Sequence, residues 1–236
     1  MSEFQKCLLV LSLVLGIAVL HHLTDPFKEL LPSKSVSMRH LNAAQKHNLL
    51  LASRNLDKLV LRPGEEFSFN QRVGPRTVER GFQEARSFLE DDSPATPGGG
   101  ICLLSSALYQ MALLIDLPVI ERFAHSKPIA SADAGLDATV SYGQADLRFA
   151  NNKTEALLFR IYMTNQNLRV QIYAKHKLKL IQLSRHTQTH GDKLLVSLYK
   201  KTEAENQLIT LDEYKLGNQI KNPKGQLQSF MQNPWP

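Results

Sequence analysis

The sequence predicts an α+β fold in which N-terminal helices and a cysteine-bearing central helix pack on an antiparallel β-sheet. Two observations carry that prediction. Apolar residues recur at three- and four-residue steps in the first half of the chain, whereas alternating runs broken by turn residues dominate beyond Pro118. A third observation sets the scale: 236 residues, 43% of them hydrophobic and 21% charged, suffice to bury one good core.

Cys7 to Leu20 is an uncharged apolar run, short for a bilayer span and well sized for a signal-peptide core or a short anchor. No Ala-x-Ala cleavage site follows it, and Cys7 stands at the head of the run instead of after it, so a signal-anchor over residues 1–23 is expected, with cleavage and secretion as the alternative. On both readings the folded part is expected to be exported, with the membrane as a partner through residues 7–20; the remaining reading of the run is an N-terminal core helix of a cytosolic protein. Residues 24–36, with Pro26 and Pro32, read as a linker, 37–217 as the folded domain and 218–236 as a polar tail.

From Ser37 the pattern turns helical, with Leu49, Ala52, Leu56 and Leu59 on one stripe, and stops before Arg62-Pro63-Gly64. Phe67 to Asn70 alternates as a short strand, followed by turn residues at 73–76 and 80–81. Two prolines and three successive glycines keep 91–100 irregular. The central helix follows directly, with Leu104, Leu108, Met111 and Ile115 as its buried stripe and Cys102, Ser106 and Tyr109 on another face. Strands are predicted within 139–149, 156–163, 168–174, 178–183, 194–199 and 208–214.

A net charge of +6 favours anionic surroundings such as wall polymers or lipid head groups. The basic residues are scattered and lack interleaved aromatics, so nucleic acid is not an expected partner. No metal or cofactor is expected, because Cys-x-x-Cys is absent and the spaced pair His186 and His190 lacks the Glu of a zincin. Ser105 and Ser106 lack the Gly-x-Ser-x-Gly setting of a serine nucleophile.

Cys102 is different. Outside the cytoplasm, with Cys7 in the leader, it is a lone thiol, and it stands where a helix N-terminus lowers a thiol pKa. Gly98 to Gly100 lets the backbone approach a substrate, and the N–H groups of Gly99, Gly100 and Leu103 are candidate oxyanion donors. Among eight histidines His125 is the candidate base, since it sits in a loop after a short apolar segment. Asp137 is the candidate to orient it, with Asp133 as rival. Arg76, Ser126, Tyr142 and Arg148 are candidates for contacting substrate or wall polymer.

Six motifs in order, LRPGEEFSFN (61–70), VGPRTVERGF (73–82), PGGGIC (97–102), SALYQMALL (106–114), ERFAHSKP (121–128) and LDATVSYGQADLRFANN (136–152), resemble the VanW family, known from glycopeptide (vancomycin) resistance clusters. The resemblance implies peptidoglycan L,D-transpeptidation for some members, with the motif cysteine, here Cys102, as nucleophile and His125 as base. Peptidoglycan stem peptides would then be the substrates. The chain departs from the family at Leu103, where Gln commonly follows the cysteine. The alternative is a non-catalytic envelope module that binds wall polymer or assists glycopeptide resistance.

Overall fold

The structure, a computed structural model, describes residues 26–86, 95–201 and 205–216, together with 3–7, 10–12 and 14. Its main sheet is antiparallel, in the order β1 (Glu29–Ser37), β9 (Asn167–Ala174), β8 (Leu157–Met163) and β2 (Leu59–Leu61). Strand β9 buries every second residue from Leu168 to Ala174, the period-two pattern of a sheet with one face on a core. A second sheet runs β3 (Glu66–Ser68), β7 (Arg148–Ala150), β6 (Val119–Glu121). Phe67 stacks on Phe149 at 4.5 Å, and Phe149 reaches Phe159 of β8 at 6.1 Å, so aromatic packing joins the two sheets. The third sheet is a meander of β10 (Gln182–His190), β11 (Lys193–Lys201) and β12 (Asn206–Lys215). Two short strands, β4 (Glu84–Ala85) and β5 (Thr96–Pro97), pair beside the glycine-rich turn.

Helix α1 (Ala43–Leu56) starts at Asn42, whose side chain accepts the Gln45 N–H while Gln45 Oε1 accepts the Asn42 N–H. At its other end Asp57 accepts from the Ile161 N–H of β8 at 2.8 Å, which fixes the helix on the main sheet. The short helix α2 (Phe69–Val73) is capped by the Ser68 hydroxyl. Helix α3 (Cys102–Leu114) packs on β1 and β9, and every residue from Leu103 to Leu113 is buried. Its sequence is apolar almost all round, which is the signature of a helix enclosed on every side.

Several local expectations change, among them the strand expected at 67–70, where Phe69 and Asn70 open α2, and the one expected at 178–183, which begins only at Gln182. Residues 29–36, expected in a linker, form most of β1 on the edge of the main sheet. Leu31 is buried, and Pro32 falls in a bulge between Leu30 and Ser33, where a strand tolerates a missing N–H. The first helix begins at Ala43 instead of Ser37 because the Asn42 cap is the stronger start signal, and Leu59 lies in β2. Residues 139–147 are held by isolated bridges, Phe123 with Thr139 and Ser141 with Ala145, leaving only 148–150 as strand. Ser106 and Tyr109 are as buried as the apolar stripe of α3. The run at 7–20 and the tail from 218 lie largely outside the described residues, among which no helix is long and apolar enough to cross a membrane.

Candidate functional site

The glycine-rich turn is held by α1. Asn48 donates to the carbonyls of Gln83 and Gly99 and accepts the Gln83 N–H, so one buried amide fixes both sides of the β4–β5 pair. A Cβ on Gly99 would lie 2.2 Å from the Ala85 carbonyl oxygen, and one on Gly100 would lie 2.9 Å from Gln45 Cβ. The glycines therefore serve close backbone packing that sets where α3 begins, and with it the Cys102 sulfur.

Helix α3 also fixes the loop opposite. Ser105 donates to the Ala138 carbonyl at 2.7 Å, Ser106 accepts the Ala138 N–H at 3.0 Å, and Gln110 donates to the Leu136 carbonyl at 2.9 Å. These buried bonds hold Asp137 between two tethered neighbours. Asp137 Oδ2 accepts both the His125 backbone N–H at 2.7 Å and the ring at Nδ1, 2.6 Å away. The His125 ring also stands close enough to Cys102 for each to shift the other's titration. Cys102, half-buried, lies with Sγ 3.9 Å from the Val140 carbonyl. Cys102, His125 and Asp137 are thus brought into one chain of contacts. Asp133 is not part of it and faces Arg185 instead.

A further layer was not read from the sequence. Arg122 donates from Nε to the Asp137 carbonyl at 2.7 Å and from Nη2 to Oδ1 at 2.9 Å, while Nη1 meets both carboxylate oxygens of Asp212 at 2.6 Å. The Tyr214 hydroxyl donates to Asp137 Oδ1 at 2.5 Å and accepts the Gly135 N–H at 2.6 Å. Asp212 and Tyr214 lie on β12, so the third sheet closes behind the carboxylate. Arg122 stands three residues before His125 in ERFAHSKP, a spacing that offers a signal. Nothing local marks Asp212 or Tyr214.

The electrostatics follow from these contacts. Burial alone would raise the Cys102 thiol, but the hydrogen bond and charge of His125 more than offset it, and the thiol lies below its ordinary value. Burial disfavours the imidazolium, yet the bond to Asp137 and the pairing with Cys102 raise His125 to about 9. Asp137 is held low, since its partners outweigh its burial. The pairing thus shifts both groups toward a thiolate beside an imidazolium.

The other sequence candidates separate. Arg76 lies beside Cys102 closely enough to feel its charge, with its guanidinium 5.5 Å from the Phe69 ring and 5.9 Å from that of Tyr142. Ser126 is exposed next to the imidazole loop, and its carbonyl accepts the Lys215 N–H. Arg148 is ion-paired with Glu66 and Glu121, so its charge is already neutralised within the second sheet. Two of the three expected oxyanion donors are committed elsewhere: the Gly99 N–H closes a turn on Thr96, and the Leu103 N–H one on Gly100. The Gly100 and Cys102 N–H groups carry no backbone acceptor among the described residues.

Comparison with known proteins bears on this arrangement. A family model described as VanW like protein matches residues 44–173. A protein of Bacillus subtilis (strain 168), "Uncharacterized protein YoaR", is 33% identical over 133 residues, 56% of this chain and 44% of that protein. The vancomycin B-type resistance protein VanW of Enterococcus faecalis (strain ATCC 700802 / V583) is 27% identical over 132 residues, 54% of this chain and 48% of that protein. The matched region thus spans less than half the length of either relative, and no solved structure matches. Strand β12, which supplies Asp212 and Tyr214, lies beyond the region that the family model matches.

Proposed function

The chain belongs to the VanW family, and on that footing we propose that it is a cell-envelope acyltransferase, a cysteine-dependent peptidoglycan L,D-transpeptidase. The observation that carries this reading is the contact chain from Cys102 through His125 to Asp137 at the start of an enclosed helix. Kinship with a vancomycin resistance protein supports a role in the wall, and the apolar run at 7–20 is the segment that would export and anchor the domain.

In this reading the Cys102 thiolate attacks the carbonyl carbon of the third stem-peptide residue, forming a C–S bond. The Cys102 N–H, at the first residue of α3, receives the developing oxyanion. Collapse breaks the C–N bond to the terminal D-amino acid, whose departing amine takes a proton from the His125 imidazolium. The amine of a neighbouring stem then attacks the thioester, His125 accepts its proton, and the sulfur leaves as thiolate. The product is a 3-3 cross-link. Water in place of that amine gives trimmed stems.

Muropeptide analysis of purified protein incubated with stem peptide tests this directly. New cross-links or trimmed stems are expected from the wild type and none from Cys102→Ala. Identical product profiles from the two proteins would overturn acyl transfer and leave a wall-binding module.

A further inference from the structure

Beside the nucleophile stands a cation with no carboxylate of its own. Among the described residues Arg76 takes part in no ion pair, and its one side-chain hydrogen bond goes from Nη1 to the Gly74 carbonyl at 3.2 Å. Nη2 is shielded from solvent and has no acceptor among the described residues. Asp146, an acid near enough to influence it, is already engaged. Its Oδ2 accepts the Ser68 hydroxyl, and Oδ1 accepts the N–H groups of Asn70 and Leu147. A guanidinium cannot shed its charge in a protein, so burial without an acceptor costs free energy that a neutral side chain would not.

The chain nevertheless builds a seat for it. The guanidinium lies near the rings of Phe69 and Tyr142, and its stem runs against Gly98, where a Cβ would come within 2.7 Å of Arg76 Cγ. Gly98, in the turn that leads to Cys102, is thereby kept bare by Arg76. Phe69 is fully buried, whereas Tyr142 is about half-exposed on the turn between Ser141 and Ala145. Of the two rings beside the guanidinium, Tyr142 is therefore the one that faces solvent.

We propose that Arg76 binds the free C-terminal carboxylate of the peptide whose carbonyl Cys102 attacks, with Tyr142 as the displaceable cover. The inference rests on the acyl-transfer reading and deepens it: the substrate is a peptide cut one residue from its own end, and a chain that continues past the scissile bond is refused. The carboxylate leaves with the terminal amino acid. Arg76 is then free again before the incoming stem attacks the thioester.

A rival role for Arg76, lowering the thiol pKa, is removed by working on Cys102→Ala, which has no sulfur to tune. Binding of a tetrapeptide stem ending in D-alanine is compared by calorimetry with binding of the same peptide as its C-terminal carboxamide. The acid is expected to bind about 10- to 100-fold more tightly than the amide, the span of a charge-assisted hydrogen bond. Adding Arg76→Gln should bring the acid down to the level of the amide, and Arg76→Lys should restore part of the difference. Equal binding of acid and amide, no binding of either, or a preference that survives Arg76→Gln would each overturn the assignment. Mass spectrometry of the wild type keeps the two readings apart. Acylation of Cys102 at equal rates by acid and amide would sink the carboxylate seat and leave acyl transfer standing, whereas an Arg76-dependent preference without any acylation would do the reverse.

Discussion

Tyr214 donates its hydroxyl to Asp137 at 2.5 Å across 77 positions of sequence, so a strand of the third sheet holds the carboxylate that orients His125. Replacing Tyr214 by Phe strips one partner from Asp137 Oδ1 and the acceptor from the buried Gly135 N–H. A loss of about 1–3 kcal/mol in chemical denaturation is expected. Because the imidazole would lose part of its anchor, Cys102 alkylation should also move to higher pH, a response that a purely structural loss would not give.

Thiol reactivity should follow the pairing with His125. The rate of Cys102 alkylation by iodoacetamide is expected to rise with pH around a midpoint below the ordinary thiol value, because the pair holds the thiol down. His125→Gln removes the bond and the positive charge that offset burial, so the midpoint should climb. An unchanged profile in that variant would show that the imidazole does not govern the sulfur.

Stability should carry the same signature with a definite sign. His125 is raised in the folded protein from 6.5 to about 9, so it binds a proton more tightly folded than unfolded. Its contribution is complete below about pH 6.5 and fades as pH rises toward 9, by on the order of 2–3 kcal/mol at most. The lowered Cys102 thiol titrates with the opposite sign, so urea denaturation of Cys102→Ala, which removes it, should show that decline, and adding His125→Gln should flatten it.

Much of the candidate site was legible because its chemistry is local. A thiol behind three glycines at a helix start, a histidine in a loop and an acid in a turn are each visible within about ten residues, and the fold joins them. The α+β class was legible for a similar reason, since the spacing of apolar residues reports local geometry directly. Arg122, Asp212 and Tyr214 were not, because their value lies in long-range pairing that no period records. Strand β1 was missed because Pro32 and scattered charges look like a linker, and only the bulge and the edge position explain how a strand accommodates them. In the sequence the glycines suggest room for a substrate, whereas at Gly99 and Gly100 the close neighbour is the protein's own backbone and side chains.

That last point can be measured. Gly99→Ala forces a methyl group into the Ala85 carbonyl and should cost about 3 kcal/mol or more, or prevent folding. Gly143→Ala meets nothing within 4 Å, and should cost only the strain of its positive φ, about 1–2 kcal/mol. Thermal melts of the two variants side by side separate steric collision from backbone preference.

Helix α3 is enclosed from Leu103 to Leu113, and its serines and Gln110 tie down the loop that carries Asp137. The sulfur, its base and their anchor therefore belong to the part of the molecule that comes apart last. Amide hydrogens along that helix should exchange only when the whole domain opens, and heat should abolish thiol reactivity and tertiary structure in a single step. Adaptation to different substrates must then come from the surrounding turns, above all the one that carries Tyr142.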